Sequence, residues 1–535
     1  MAQMPKTIHI DPPLGGESRK FGFQKQPQYT TVYSQNFWPV NAEDGRRVSA
    51  TRPPLEPYGN FPSLNCNLLC PVNGDGSQTP QVTFVTAADG HLYRWNGTGF
   101  TQIDTDYSPP LVTSNRPVYA TPFLQKVIIA NTGAPLVYDH AGQDVPAQRL
   151  TYLTASAGTV PQDCRIVTTW QGAVWFAGAI ETPHILYASR TGDHTDFNYT
   201  ALPEDEGGAF ATIGDNEGLL GEPITALIPQ TADTMIVGCI GSIYALRGHP
   251  RRGGSMEVLS STIGILGQGA WAKGPDDTVY MMTKVGMVTL SPQAGAVPTE
   301  ISRTKIPDEL VGLAFDSTDP VISMAFDTRW NGIVITIRGD QQQSWWYDIE
   351  DGGFHRMLFD SYPTVLMTFS ELDSNNTSGV MWGGGSAYGG LARMDLDGAE
   401  IIPYNLLIGP IKISPNASMK SMVTKVKMVL GLSTIMNGLI GLWVGADGEE
   451  VYQNYLQNRL VCRKYSSFQD LAYNNGITRP RMSGHAIMFQ LVGEERCIFE
   501  SADCDFMPTG ENRRIRNWDI APQVIAGPDQ SVEFV

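Results

Sequence analysis

The sequence predicts a mostly-β fold: a β-propeller of about seven blades, with an N-terminal extended arm before it and a small β-sandwich-like domain after it. Three observations predict this class. Two hairpin patterns follow one another in mid-chain, the same pattern recurs at a regular spacing, and long amphipathic helical patterns are scarce. The 55 glycines and 36 prolines among 535 residues suit many short strands joined by turns.

The two hairpin patterns are the clearest copies of the repeat. In the first, the apolar run Met235–Val237 is followed by the turn Gly241–Ser242 and the alternating run Ile243–Leu246. In the second, Val279–Met282 and Met287–Leu290 flank a glycine-containing turn. An apolar run, a tight turn and an alternating run are typical of a β-hairpin.

The same unit recurs along the middle of the chain. Its copies begin near His91, Val127, Ala173, Met235, Thr278, Gly332 and Ser378. Their mean spacing of about 48 residues is close to the size of a four-stranded propeller blade. Residues 81–400 are therefore predicted to form the propeller.

Residues 1–80 are irregular, proline-rich and locally basic, with Arg46, Arg47 and Arg52 close together. Because proline removes a donor and restricts the residue before it, this segment is predicted to be extended. Two interpretations stay open: an arm laid on another molecule, or a strap that closes the chain's own fold.

Residues 401–519 are predicted to form a separate small β domain, with strands near 423–430, 439–444, 485–491 and 497–506. The last two strands are predicted to form a hairpin. Residues 520–535 are predicted to be a polar tail that is loose or docked on a partner.

Charge and cysteine content exclude some classes of protein. The net charge of −17 argues against a basic phosphate-binding surface. It indicates either a need for solubility or a negatively charged surface that repels phosphate, so that nucleic acid passes without being bound. Seven cysteines spread along the chain indicate reduced thiols, with no disulfide framework and no metal site.

Targeting and membrane signals are also weak. The N-terminal residues lack an apolar secretory core, so synthesis in a cytoplasm is expected. The segment Met428–Ala446 has about the minimum length of a membrane span, but four glycines interrupt it. It is predicted to be two strands and a turn.

No catalytic residue and no cofactor site is predicted. His184, His194, Asp193 and Asp196 lie near one another in sequence, but no Gly-x-Ser-x-Gly motif accompanies them. The acidic run 204–206 is typical of a solvated loop, and the glycine runs 253–254 and 383–385 lack the Lys-Ser/Thr of a phosphate loop.

Three segments resemble a known family. They are NFWPVNAEDGRRVSATRPPL near the N-terminus, ITALIP with GSIYALRGHPRRGGSMEVLSSTIGILGQGAWAKGPDDTVYMM and GMVTLSP in the middle, and SGHAIMFQLVGEERCIFESADCDF near the C-terminus. They are similar to segments of the tail nozzle proteins of short-tailed bacteriophages, also called tail tubular protein B or tail-hub stabilisation proteins. The resemblance touches both ends and the middle of the chain.

The resemblance implies a non-enzymatic virion protein, about six copies of which form a ring below the portal and adaptor. This ring retains double-stranded DNA and then conducts it during ejection, without binding it specifically. The implied partners are further copies of the chain, the adaptor or head-to-tail connector, and tail fibre or needle proteins, with no membrane span. The implied location is the virion tail, assembled in the cytoplasm of a host bacterium.

In that family the arm and the C-terminal β domain build the platform that meets the adaptor. The resemblance therefore makes Arg46, Arg47 and Arg52 candidates for an assembly interface. Two alternatives stay open. One is a receptor- or glycan-binding tail protein that uses aromatics such as Trp345 or Trp382, and the other is a propeller glycosidase, although the Ser-x-Asp-x-Gly-x-Thr-Trp box of sialidases is missing.

Overall fold

The computed structural model describes residues 6–509, apart from residues 21, 23–25, 60, 62–65, 73–83, 89, 96–98, 105–116, 132, 140–149, 201–204, 213–219, 307, 314–320, 339–341, 360–361, 371–377, 385–389, 397, 399, 415–419 and 436. The predicted tail at 520–535 lies outside the described residues, as does Glu204 of the acidic run.

The N-terminal arm contributes five short strands to sheets that later parts of the chain complete. They are β1 (Lys6–Ile10), β2 (Tyr33–Gln35), β3 (Phe37–Trp38), β4 (Ser49–Thr51) and β5 (Leu55–Pro57). The arm is therefore a strap that closes the chain's own fold, which is one of the two interpretations that the sequence left open.

Five propeller blades are self-contained, each a four-stranded antiparallel sheet made from one continuous segment. Their strands are, blade by blade, β6 (Leu68–Pro71), β7 (Phe84–Ala88), β8 (His91–Trp95) and β9 (Phe100–Gln102); β10 (Ala120–Phe123), β11 (Lys126–Ile129), β12 (Leu136–Asp139) and β13 (Leu150–Tyr152); β15 (Cys164–Trp170), β16 (Ala173–Ala179), β17 (Tyr187–Ala188) and β19 (Phe210–Ala211); β20 (Ile224–Pro229), β21 (Thr234–Cys239), β22 (Ile243–Arg247) and β23 (Ser255–Ser260); β24 (Trp271–Lys273), β25 (Val279–Thr283), β26 (Gly286–Leu290) and β27 (Thr299–Glu300). A parallel pair, β14 (Ala157–Gly158) and β18 (Asp196–Phe197), flanks the third of these blades.

Two further four-strand groups borrow strands or continue beyond the propeller. The first, β28 (Val321–Asp327), β29 (Gly332–Arg338), β30 (Gln343–Asp348) and β31 (Phe354–Met357), runs on into a nine-stranded sheet. The second, β32 (Val365–Ser370), β33 (Ser378–Gly383) and β34 (Leu391–Met394), takes β5 of the arm as its fourth strand. The strand β32 contacts β6, which closes the ring of blades.

The predicted fold class, a mostly-β propeller with an arm and a C-terminal sandwich-like domain, is confirmed. Two details of the prediction are wrong. Five blades, not seven, are self-contained in the described chain, because the last two groups share strands with the arm. The boundary at residue 81 is also too late, because β6 already pairs with β7.

Burial on both faces of the blades explains their apolar strands. Met235 and Val237 of β21 face the core shared with the preceding blade, whereas Ile236 between them faces the core shared with the next blade. Successive side chains of a strand point to opposite faces, so a strand between two cores must be apolar at every position. The paired strands β21–β22 and β25–β26 confirm the two predicted hairpins.

The C-terminal domain packs two sheets around one core. Its elements are β35 (Tyr404–Lys412), β36 (Ser421–Leu430), β37 (Gly438–Gly445), α1 (Gly448–Leu456), β38 (Arg463–Ser467), α2 (Phe468–Tyr473), β39 (Ile477–Thr478), β40 (Met482–Gly484), β41 (Ala486–Gly493) and β42 (Ile498–Pro508). One sheet ends in β35-β41-β37-β38, and the other contains β42, β36, β39 and β40 with the arm strands β1, β3 and β4.

The predicted strands of this domain are confirmed, but the predicted final hairpin is wrong. Both edges of β41 are occupied, by β35 and β37, and β42 pairs with β36 on one side and with β1 and β4 on the other. The two strands therefore lie in different sheets. The segment Met428–Ala446 holds the end of β36, a turn and β37, as predicted.

Neither α-helix in the described chain has the length that a membrane crossing requires.

A tryptophan stack fastens the arm to the propeller. The indole of Trp38 stacks on that of Trp346 in β30, with ring centroids 4.1 Å apart, and both side chains are fully buried. A Cβ at Gly332, on the neighbouring strand, would lie 2.0 Å from the Trp346 ring. The stack therefore depends on a glycine that leaves room for it.

Replacing Trp38 with Ala should lower the free energy of unfolding by about 3–5 kcal/mol, because it removes a buried indole and leaves a cavity. Denaturant unfolding followed by intrinsic tryptophan fluorescence measures this change. The control Val297→Ala, at a position 69% exposed, should leave the midpoint in place. Equal effects from the two substitutions would contradict the packing described for the arm.

Candidate functional site

The candidate site is the junction at which the arm joins the propeller to the C-terminal domain. Its centre is β2, in which Gln35 pairs in parallel with Arg356 of β31 and antiparallel with Asn405 of β35. The Thr31 hydroxyl, just before β2, donates a hydrogen bond to the carbonyl oxygen of Leu407. One hydrogen-bonded sheet therefore runs from the propeller through the arm into the C-terminal domain.

A buried ion pair anchors the second half of the arm. Two guanidinium nitrogens of Arg52 donate to the two carboxylate oxygens of Glu400, at 2.6 and 2.8 Å. The same carboxylate accepts the backbone N–H of Leu55 at 2.6 Å, and the guanidinium lies 4.3 Å from the centre of the Phe359 ring. The bidentate pair uses two of the five guanidinium N–H donors, and the other three go to Oδ1 of Asn36 and to the carbonyl oxygens of Pro53 and Leu358. A side chain with no exposed surface is therefore fully hydrogen-bonded within its own chain.

A second pair fastens the preceding turn of the arm. Arg47 donates to both carboxylate oxygens of Asp348, at 3.0 and 2.7 Å, and also pairs with Asp351. The side chain of Asp348 is fully buried. Although burial lowers the pKa of the Arg47 guanidinium, its hydrogen bonds to the two carboxylates hold that pKa above its ordinary value.

A third charged cluster holds the first half of the arm. The buried carboxylate of Glu17 lies 2.9 Å from the guanidinium of Arg19 and 3.7 Å from that of Arg356, and it accepts the backbone N–H of Ser34 at 3.0 Å. Arg356 also lies 4.7 Å from the centre of the Trp345 ring. No pattern in the sequence indicates this cluster, since Glu17 and Arg356 are far apart along the chain and belong to no motif.

Arg46 differs from the other two predicted interface arginines. Its side chain is 56% exposed and pairs with Asp44 at 2.7 Å and with Glu500 of β42 at 3.2 Å. The side chain of Arg47 is 27% exposed, whereas that of Arg52 is fully buried within its own chain. The predicted interface role stays a prediction for the three arginines.

The aromatic residues proposed for glycan contact are not on the surface. Trp345 and Trp382 are buried in two cores of the propeller. Because both side chains are buried, they are not the exposed aromatics that this alternative requires, and each packs among apolar side chains of the propeller.

The aspartates near position 190 stabilise local turns. One Asp193 carboxylate oxygen accepts the backbone N–H of Thr195 at 2.8 Å and its hydroxyl at 2.7 Å. Arg190 pairs with Asp205 at 2.7 and 3.1 Å. Burial and nearby Lys126 lower the pKa of His194. Within the described ranges, no group of three or more His, Cys, Asp or Glu side chains is placed to hold a metal ion.

All seven cysteines are free thiols, and six of them are buried. Burial raises the pKa of several of these thiols to about 12, including Cys70 and Cys497. A thiol with so high a pKa is a poor nucleophile at neutral pH, so these residues serve packing.

Comparisons with known proteins give only distant likenesses. No family model and no curated protein sequence matches the chain. The extracellular domain of a one component system from B. thetaiotaomicron aligns at 13% identity and a TM-score of 0.42, over 72% of this chain and 45% of that one. The extracellular domain of a hybrid two component system from the same organism aligns at 13% identity and a TM-score of 0.41, over 65% of this chain and 42% of that one.

Virginiamycin B lyase from Staphylococcus aureus aligns at 11% identity and a TM-score of 0.40, over 63% of this chain and 98% of the lyase. This chain spans less than half the length of the two extracellular domains. Likenesses of this strength assign no function to the chain.

Replacing Glu400 with Gln should lower the free energy of unfolding by about 3–5 kcal/mol, because it leaves the Arg52 guanidinium buried without its charged partner. The matched control is Glu500→Gln, which removes a carboxylate from the exposed Arg46 and should leave stability unchanged. Thermal and denaturant unfolding of both variants measures the difference. If the two variants unfold alike, the buried pair does not anchor the arm.

His355, at the junction, should make stability depend on pH. Burial lowers its pKa from 6.5 to about 4, against the opposing effect of Asp348. The unfolded chain therefore takes up a proton near pH 6.5, and the folded chain does so only near pH 4. Stability should fall by about 3 kcal/mol as the pH drops through that window. Denaturant unfolding between pH 7 and pH 4 should show a shallower loss in His355→Gln, and an unchanged slope would exclude this histidine as the cause.

Proposed function

We propose that the chain is a structural protein in the tail of a short-tailed bacteriophage. In this role several copies form a ring, a nozzle or hub, below the portal and adaptor. The ring retains double-stranded DNA and then conducts it during ejection. The three segments that resemble the tail nozzle family motivate the proposal, and the junction described above supplies a physical reason for it.

The observation that carries the proposal is the continuous nine-stranded sheet. It joins the propeller group β28–β31 to the C-terminal strands β35, β41, β37 and β38 through β2. A ladder of backbone hydrogen bonds shares a load among many bonds, whereas a flexible linker would let the two parts move separately. A component that has to withstand pressurised DNA benefits from such a rigid connection.

The distribution of charge supports a role beside DNA that does not involve capture. Residues 401–535 contain 13 Lys or Arg and 13 Asp or Glu, whereas residues 1–400 contain 24 and 41, so the net charge of −17 lies entirely in residues 1–400. An acidic surface repels phosphate and lowers the residence time of DNA on it. The nearly neutral C-terminal domain is free to make contacts with protein partners.

Purified particles of the phage that encodes this chain should hold about six copies of it per portal, as expected for a cyclic ring at the tail axis. Quantitative mass spectrometry against the portal and major capsid proteins measures that ratio. Absence of the protein from particles would overturn the proposal. A copy number several times higher, in multiples of three, would instead indicate a peripheral adhesin.

A further inference from the structure

A turn of the C-terminal domain combines exposed aliphatic and basic side chains. It lies just before and at the start of β38, and it reads Arg-Leu-Val-Cys-Arg-Lys over residues 459–464. Leu460 and Val461 are 68% and 88% exposed. Aliphatic residues scattered singly over a surface are ordinary, but two adjacent ones enclosed by cations indicate a contact with another molecule or with a membrane.

The fold holds this turn, here called the turn 459–464, in a fixed conformation. The backbone N–H of Cys462 donates to the carbonyl oxygen of Arg459 at 3.0 Å, and the N–H of Arg463 donates to that of Leu460. The side chain of Cys462 packs against the core of the domain. Because the turn is fastened at Cys462, the preceding Leu460 and Val461 stay exposed.

Five cations lie in the turn or beside it. They are Arg459, Arg463, Lys464, Arg479 and Arg481. Lys464 joins the two groups, because its ammonium donates to the carbonyl oxygen of Pro480 at 3.3 Å. Residues 457–481 contain these five cations and one acidic residue, Asp470, so this segment has a net charge of +4 in a protein whose net charge is −17.

The cations nearest Pro480 are not neutralised within the chain. Lys464, Arg479 and Arg481 all belong to exposed residues. Among the described residues, no carboxylate lies within 4.0 Å of any of the three. They are therefore available to an anionic partner.

The carboxylates on the two neighbouring helices have other hydrogen-bond partners. At the start of α1, Asp447 accepts the backbone N–H of Glu450 at 2.8 Å, and Glu450 accepts that of Ala446 at 2.7 Å. In α2, Asp470 accepts the hydroxyl of Ser467 at 2.7 Å. These carboxylates stabilise the starts of the helices, which leaves the turn positively charged.

We propose that the turn 459–464 binds an anionic membrane surface. Leu460 and Val461 enter the interface between the headgroups and the acyl chains, while the five cations contact lipid phosphates. Each cation near an anionic bilayer raises the affinity by about fivefold, and the burial of two aliphatic side chains adds to this. The binding is peripheral, and it does not rest on the proposed function.

The composition of the turn favours a bilayer over the other partners of a basic patch. Contacts to a nucleic-acid backbone are made by cationic and polar groups, which leaves two exposed aliphatic residues without a role. A specific protein contact buries about 800 Å² per partner and is enriched in aromatic residues. The local aromatic rings, Trp443 and Tyr465, are instead covered by Arg463, whose guanidinium lies 5.7 and 5.0 Å from their centres.

Co-sedimentation of the full-length chain with lipid vesicles tests the proposal. The wild type should bind vesicles of mixed phosphatidylcholine and phosphatidylglycerol, and it should bind phosphatidylcholine alone at least about tenfold more weakly. Added salt should weaken the binding, because it screens the cations. Leu460→Ser/Val461→Ser and Arg479→Glu/Arg481→Glu should each lower the affinity for mixed vesicles by about tenfold or more.

Two matched controls separate the turn from exposed side chains in general. Leu432→Ser/Val297→Ser removes a leucine and a valine that are 104% and 69% exposed outside the turn. Arg252→Glu/Lys284→Glu makes the same change of charge at exposed positions of the propeller. Both controls should bind mixed vesicles like the wild type. Thermal unfolding confirms that all four variants are folded.

The proposal is overturned if the wild type does not bind mixed vesicles or binds phosphatidylcholine alone equally well. Folded turn variants that bind like the wild type would also overturn it. Duplex DNA binding that Arg479→Glu/Arg481→Glu abolishes, with vesicle binding unchanged in both turn variants, would assign the cations to nucleic acid instead. The copy number in particles tests the proposed function separately, so either proposal can fail while the other stands.

Discussion

Strand β2 is the constraint on which the rest of the structure depends. Its three residues pair with β31 and β35, which belong to two different parts of the protein. Tyr33 and its partner Leu407 are separated by most of the chain, so this pairing closes a very long loop. Loop closure costs conformational entropy that grows slowly with length, and the surrounding burial must offset it.

The arm also completes the propeller. β5 supplies the fourth strand of the group β32–β34, so that sheet is finished only when the arm has returned to it. An unfinished sheet leaves an unpaired strand edge, which is prone to pair wrongly. The closure of the ring of blades and the docking of the C-terminal domain therefore depend on the same N-terminal segment.

Three buried charge pairs fix where the arm lies. Glu17, Arg47 and Arg52 are each paired across the junction with residues far along the chain. Apolar contacts alone would tolerate a shift of the arm by one or two residues. A shift of the three charged residues would leave a buried charge without its partner. These pairs therefore specify the register of the arm more than they add to net stability.

The repeated part of this fold could be predicted from sequence, because its signal is local. Six of the seven predicted copies begin at or next to the second strand of a four-strand group, as Ala173, Gly332 and Ser378 do. Second and third strands form hairpins packed between two cores, so they carry the strongest apolar pattern. Only the copy at His91 begins at a third strand.

The arm and the junction could not be predicted in the same way. β2 to β5 contain two or three residues each, too few for a period of two to be seen. Although β3 pairs locally with β4, the strands β2, β4 and β5 pair with strands hundreds of residues away. The sequence shows Arg52 as one of three neighbouring arginines. It does not indicate that this side chain is buried and paired with Glu400. Likewise, the sequence of β41 and β42 has the pattern of a hairpin. In the structure β41 pairs with β35 and β37, and β42 pairs with β36, so the two strands lie in separate sheets.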